Sequence, residues 1–275
     1  MKHEHDRVLS NKQIELLELI YKYRFATREY IGRSLGIVGG SSLHERLEVL
    51  VGHEYLGKRK DIRSLALNKP VAYYVAPKGI RALQSLQGHE HISDQAMRQS
   101  YQNKSTVHDD FVAHILNIYE LGLCLHEQYP GLKTFMPRET IRYTYFPDQS
   151  PDTFLSLPSD DPALPHRFFL DIVRDRQSRR VLEHRLQNYV EFFDDGGWDE
   201  TGSPLPVILL ISEWGPSERG MQRFVRKVLD KLDSELRVYT ATANAIRSTN
   251  DNLAIWTDIQ DTDELVSLTD ISVNP

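Results

Sequence analysis

Apolar residues recur at helical spacing in NKQIELLELIYKY, where Ile14, Leu16, Leu17 and Ile20 gather on one side and predict a first helix. Thr27 is placed to cap a short second helix, REYIGRSLG, with Glu29 and Tyr30 in its first turn and Gly36 as its stop. After the turn IVGG, Ser41 or Ser42 opens a third helix, LHERLEVLVGHEY, with Leu43, Leu47, Leu50 and Val51 on a common face. The pattern then changes. YLGKRKD and VAYYVAP alternate and read as two strands around the polar tip IRSLALNKP, and KGIRALQSL closes the unit as a helix.

Residues 85–105 are polar and show little periodicity, so a linker with a helical turn is expected there. VHDDFVAHILNIYELGLCLHEQYP then predicts a long helix, with Val112, Ile115, Leu116, Tyr119 and Leu123 along one side. TFMPRETIRYTYF, PDTFLSL and RFFLDIV read as extended. SRRVLEHRLQNYVEFF reads as a helix with Val181, Leu182, Leu186, Tyr189 and Phe193 inward. PVILLIS is apolar throughout, the pattern of a strand buried on both faces. A further helix, SERGMQRFVRKVLDKLDSEL, opens with Ser217 as cap and Glu218 in its first turn, and is followed by the strand RVYTATA. The order α-β-β-β-α-β-α-β implies a mixed sheet covered by helices. The expected fold is α/β in class: a winged helix-turn-helix over 1–86, a linker over 87–105, and a helix-flanked mixed sheet over 106–275.

Charge sharpens that division. The net charge is −6, yet residues 1–85 hold 15 Lys and Arg against 9 Asp and Glu, and residues 86–275 hold 18 against 30. A module at +6 joined to one at −12 suggests a basic head for a polyanion and an acidic body. Three helices followed by a hairpin is the winged-helix order, in which the third helix enters the major groove and the hairpin lies along the backbone. Ser41, Ser42, His44 and Arg46 on that helix, and Lys58, Arg59, Lys60, Arg63 and Lys69 on the hairpin, are the candidate DNA contacts. Glu45 and Glu48 on the same helix oppose tight phosphate contact. Winged helices also serve as protein-binding modules.

Several chemistries find no support. Cys124 is the single cysteine, which excludes an intrachain disulfide and a cysteine-rich zinc module, and its apolar surroundings suit a core residue. His89 and His91 lie close but lack a third ligand at metal spacing, and His108 and His114 read as structural. GGSS at 39–42 lacks the lysine of a phosphate loop, DDGG at 194–197 reads as a helix end, and TATANAI holds no relaxase tyrosine. Trp198 and Trp214 suit packing at the edge of the second module, or stacking on a base. No stretch nears the ~20 apolar residues that span a bilayer. The segment MKHEHDRVLSNKQ has no apolar signal region, so a cytoplasmic location and no membrane partner are expected.

Two acids stand out in apolar runs: Asp152, after Pro151 at the opening of TFLSL, and Asp171, inside FFLDIV. Carboxylates on neighbouring strands can hold a divalent cation through hard oxygen ligands. Their placement resembles the PD-(D/E)xK nuclease core, which implies Mg or Mn at Asp152 and Asp171 and a water-activating lysine two residues after the second acid. That lysine position is Val173. Arg174 next along the strand should face the other side, Arg185 on the following helix is placed to replace it, and Asp175 is a further ligand candidate. An arginine stays protonated, so it can stabilise charge but cannot serve as a base.

RFATREYIGRSLG, YYVAPKGIRAL, HDDFVAH, PDTFL, and FFLDIVRD followed by LEHRLQNYVEFF together resemble the replication-relaxation family of plasmids and mobile elements, over roughly residues 11–230. Arg185, Leu186 and Tyr189 match its basic-Leu-x-x-Tyr pattern. The resemblance implies a DNA-binding accessory protein in replication or relaxation of plasmid DNA, with a degenerate nuclease-like domain. A metal-dependent endonuclease or nickase using Asp152, Asp171 and Arg185, and a regulator or protein-interaction module, stand as the alternatives. The expected partners are double-stranded DNA, other replication or mobilisation proteins, and a second copy of the chain.

Overall fold

The computed structural model describes residues 9–37, 41–60, 70–89, 91–161, 164–174, 178–213, 215–248 and 253–271. Arg63, Lys69, Asp175, Trp214 and the side chain of Ser217 lie outside the described residues. The chain divides into two compact units, residues 1–123 and 124–275.

The first unit runs α1 (Asn11–Tyr23), β1 (Ala26–Thr27), α2 (Arg28–Ser34), α3 (Ser41–Gly52), β2 (Leu56–Arg59), β3 (Ala72–Val75), α4 (Pro77–Gln84) and α5 (Asp94–Asn103), and ends in α6 (Asp109–Gln128), which crosses into the second unit. Gln13 accepts a hydrogen bond from the Ser10 N–H at 3.0 Å, and Thr27 Oγ1 accepts one from the Tyr30 N–H at 3.2 Å, so both helix starts are capped. Leu16, Leu17, Ile20, Leu43, Leu47 and Leu50 are buried, as the spacing requires. The strands form an antiparallel sheet in the order β1-β3-β2, with all of β3 buried at its centre. Gly57 pairs with Tyr74, whose ring lies where a Cβ at 57 would stand, 2.2 Å from its nearest atom, so any other residue there would have to displace that ring.

The stretch 87–105, expected as a linker, instead carries α5. It docks through Ala96, Ser100 and Asn103, all buried, and Ser100 Oγ donates to the Val75 carbonyl at 2.7 Å. Small and polar residues make that face, so its hydrophobic pattern is weak.

The second unit holds a seven-stranded sheet in the order β10-β9-β8-β7-β6-β5-β4. Its strands are β4 (Lys133–Phe135), β5 (Thr153–Leu157), β6 (His166–Val173), β7 (Val207–Ser212), β8 (Val238–Thr242), β9 (Trp256–Asp258) and β10 (Leu265–Val266). β6, β7 and β8 are parallel, and the remaining pairings are antiparallel. The parallel strands need crossovers, supplied by α8 (Arg179–Asp194) and α9 (Gly215–Leu232). All six residues of β7 are buried. Leu182, Leu186 and Tyr189 from α8 meet Phe169, Ile208 and Leu210 of the sheet and Val225 and Leu229 of α9 in one core.

Three expectations differ. TFMPRETIRYTYF is strand only over β4, because Pro137 starts a short helix, α7 (Pro137–Thr140), where Glu139 accepts from the Met136 N–H at 2.8 Å. Val181 is exposed, since it lies in the first turn of α8, ahead of the core contacts. The short elements α10 (Ala243–Ser248), β9 and β10 follow RVYTATA and extend the sheet beyond the order read from sequence. Among the described residues no helix is long and apolar enough to cross a membrane.

Candidate functional site

Asp152 and Asp171 meet because β5 and β6 pair antiparallel. Thr153 opposes Leu170, and one step further Asp152 opposes Asp171. There the side chains take over from the ladder. The Asp152 N–H donates to Asp171 Oδ1 at 3.0 Å, and the Ile172 N–H donates to Asp152 Oδ2 at 2.9 Å. Each acid thus satisfies a strand N–H of the other side, which a buried sheet end requires.

Asp171 is buried on a central strand and has two more partners, both from α8. Tyr189 donates its hydroxyl to Oδ2 at 2.6 Å, and Arg185 Nη1 stands 3.3 Å from Oδ1. Residues 185 and 189 are one helical turn apart, so one face of α8 delivers both. Arg185 Nη1 also donates to the Ser150 carbonyl at 2.6 Å, which ties down the loop before Pro151. Burial pushes the Asp171 carboxyl up to about 6, and the nearby Asp152 charge adds to this, while Arg185 and the Tyr189 hydrogen bond pull the other way. Burial works against the Arg185 charge, but Asp171, Tyr189 and Asp152 outweigh it and hold the guanidinium above the ordinary arginine range. Burial and the Asp171 charge push the Tyr189 hydroxyl far above the usual phenol range.

The three residues singled out in the sequence, Asp152, Asp171 and Arg185, are therefore together. Their arrangement does not suit a divalent metal as it stands. Both Asp171 oxygens carry donors, and a guanidinium supplies the counter-charge that a metal would bring. Val173, at the lysine position, packs half-buried against the core. Arg174 lies just beyond β6 and is exposed. Among the described residues no group of three or more His, Cys, Asp or Glu could hold a metal ion. Tyr189 is the site residue that the sequence reading placed in the core and in the basic-Leu-x-x-Tyr pattern but not among the site candidates; its signal is a polar-tipped aromatic one turn after Arg185.

The candidate contacts of the first unit separate into exposed and covered groups. Ser41, Ser42 and His44 are exposed on α3, with Arg46 half-buried beside them, and Lys60 is exposed after β2. Lys58 Nζ pairs with Glu48 Oε2 at 2.5 Å, and His44 Nδ1 lies 3.8 Å from Glu48 Oε1. The Lys58 hydrogen bond is the main reason the Glu48 carboxyl is held below its usual range. An exposed pair of this kind contributes only about 0–1 kcal/mol, so a phosphate can take Lys58 from it.

Arg59 departs from the rest. Its guanidinium meets Asp109 Oδ1 at 2.6 Å, the Asn103 carbonyl at 3.2 Å and the Val107 carbonyl, so it clasps β2 to the turn between α5 and α6. Its side chain is 12% exposed, and every one of these partners would have to be given up to reach a phosphate. Arg28, absent from the sequence candidates, is exposed at the start of α2 and lines a cleft of about 750 Å³ with Arg33, Leu43, His44 and Tyr73.

Residues 17–208 match the model of the replication-relaxation family. The chain belongs to that family. Membership supports a role in replication or relaxation of plasmids or mobile elements. Comparison with curated proteins finds no match. Among solved structures, a mutant of Lactococcus lactis ZitR is similar at 17% identity over 46% of this chain and 80% of that one. Its TM-score of 0.26 is too low to carry an inference.

Proposed function

We propose that this replication-relaxation protein is a DNA-binding accessory factor of a plasmid or mobile element. Its first unit acts as a winged helix on duplex DNA, and its second is a nuclease-type frame whose carboxylates serve the fold. One observation carries the first half: Ser41, Ser42 and His44 stand exposed on α3, in the unit that holds the excess of Lys and Arg and beside the β2–β3 pair that ends in Lys60. Arg46, Lys58, Lys60 and Arg28 supply phosphate contacts, and the start of α3 approaches base edges. Arg59 is left out of that set because it holds the unit together. The second half is supported by Asp171, whose oxygens are occupied by Asp152, Arg185 and Tyr189.

A mobility-shift assay with full-length protein and a mixed-sequence duplex tests the reading. Wild type is expected to shift the duplex, and Arg46→Glu combined with Lys60→Glu to weaken binding by about 10-fold or more, since each reversal replaces an attraction to phosphate by a repulsion. Equal binding by both proteins, or none by wild type, contradicts it. In the same buffer with Mg or Mn, supercoiled plasmid should stay uncut. Nicking by wild type that Asp152→Ala lacks would overturn the structural role given to the carboxylates.

A further inference from the structure

The loop between α7 and β5 presents four consecutive exposed residues, Ile141, Arg142, Tyr143 and Thr144. Ile141 is 67% exposed and Tyr143 37%. These side chains are ordered by one another. Tyr143 stacks on Tyr145, with ring centroids 4.9 Å apart and planes 22° from parallel. Arg142 lies 4.8 Å from the Tyr143 centroid and donates from Nη2 to the Tyr143 hydroxyl at 2.8 Å. Tyr145 meets the buried Trp198 edge-on at 6.2 Å, and Arg167 of β6 lies 5.9 Å from the same indole. Burial and the neighbouring Tyr143 hold the Tyr145 hydroxyl above the usual phenol range, while Arg142 and Arg167 pull it down.

The result is a run of ring contacts from the anchored indole through Tyr145 to Tyr143, with Arg167 against the indole and Arg142 against Tyr143. We infer that it binds single-stranded nucleic acid. An unpaired base stacks on the Tyr143–Arg142 layer, and Arg142 and Arg167 take the phosphates beside it. Two arguments favour that occupant. Bases in a duplex are hidden in the stack, so an exposed ring adds nothing to duplex contact, whereas every unpaired base offers a π-face. Planar guanidinium groups both stack and bind phosphate in a forked geometry. Glu200, bonded through Oε2 to Thr144 Oγ1 at 3.0 Å, lies at the rim and limits attraction for phosphate, so stacking contributes more than charge.

The test uses full-length protein, a fluorescent oligothymidylate and an excess of unlabelled duplex, which occupies the first unit. Wild type should raise the anisotropy of the oligothymidylate. Tyr143→Ala should weaken that binding by about 5-fold or more, the usual effect of losing one base-stacking ring. Tyr143→Phe, which keeps the ring, should bind as wild type does. Arg142→Ala should weaken binding and make it less salt-dependent. Duplex binding should not change in any of these variants, so failure here is distinguishable from failure of the duplex reading. Absence of oligothymidylate binding under duplex excess overturns the inference. Undiminished binding by Tyr143→Ala does the same, and so does an Ile141→Ala or Tyr143→Ala variant that loses only a protein partner. If Tyr143→Ala melts early, Arg142→Ala, altered at an exposed side chain, decides the matter.

Discussion

Arg59 in the first unit and Arg185 in the second each meet an aspartate of another element, and the two pairs are built in opposite senses. In the first, the arginine is the covered partner, 12% exposed, against an aspartate at 43%. In the second, the carboxylate is covered, with Asp171 at 7% and Arg185 at 25%. A covered guanidinium spreads its charge over several donors and finds carbonyls as well as Asp109, whose own place at the start of α6 suits a negative charge. A covered carboxylate has no such latitude. It requires donors on both oxygens, and Asp171 obtains them from a backbone N–H, a tyrosine and an arginine. Neither a basic residue on a strand of the small sheet nor an acid on a strand of the large one therefore reveals its task by identity. The task follows from which partner is removed from water.

Asp171→Ala should break the comparison most severely. It leaves Arg185 without its buried counter-charge and the Tyr189 hydroxyl and Asp152 N–H without an acceptor, at a cost of about 3–5 kcal/mol. All three tryptophans, Trp198, Trp214 and Trp256, belong to the second unit, so tryptophan fluorescence during urea denaturation reads this loss directly.

The pH dependence sharpens the same pair. The folded Asp171 carboxyl is raised to about 6, above its unfolded value near 3.8. Between those values the folded chain binds more protons than the unfolded one, so this group's stabilising contribution is full below about pH 4 and is lost as pH rises through about 6. Wild type should accordingly lose stability relative to Asp171→Asn over that window. Parallel profiles would show that Asp171 is not the group responsible.

Asp109→Ala should cost less, about 1–2 kcal/mol, because Arg59 keeps two carbonyl acceptors and Asp109 is partly in water. Hydrogen exchange in β2 and β3 is the suitable readout, and faster exchange confined to the first unit is expected. The smallest effect belongs to Lys58→Ala. Its exposed pair with Glu48 should contribute under about 1 kcal/mol to stability, while duplex binding should weaken, though less than in Lys60→Ala. Equal losses from the two lysines would mean that Glu48 does not compete with phosphate for Lys58.

The strands most legible in the sequence were those with no solvent face. FFLDIV and PVILLIS are continuous apolar runs because β6 and β7 lie side by side at the centre of the sheet. α5 was missed for the opposite reason: Ala96, Ser100 and Asn103 dock by small size and hydrogen bonding, which leave no hydrophobic period. α7 had legible signals, Pro137 at its first position and Glu139 reaching back to Met136, but β-rich neighbours masked them. At the carboxylate site Asp152, Asp171 and Arg185 could be named because two strands and one helix face fix them locally. What they do could not, since a metal site and a closed hydrogen-bonded cluster use the same residue types. Arg59 shows the limit most clearly: its partner Asp109 lies 50 residues away, and nothing in YLGKRKD separates it from Lys58 and Lys60.

The most direct test of the account is the salt dependence of duplex binding by the full-length chain, measured for wild type and for Lys60→Ala. The logarithm of the binding constant should fall linearly with the logarithm of salt concentration, and the slope should drop by about one in the variant, as one phosphate contact is lost. A wild-type slope near zero, or identical slopes for the two proteins, would contradict the claim that exposed cations of the first unit hold DNA by its backbone.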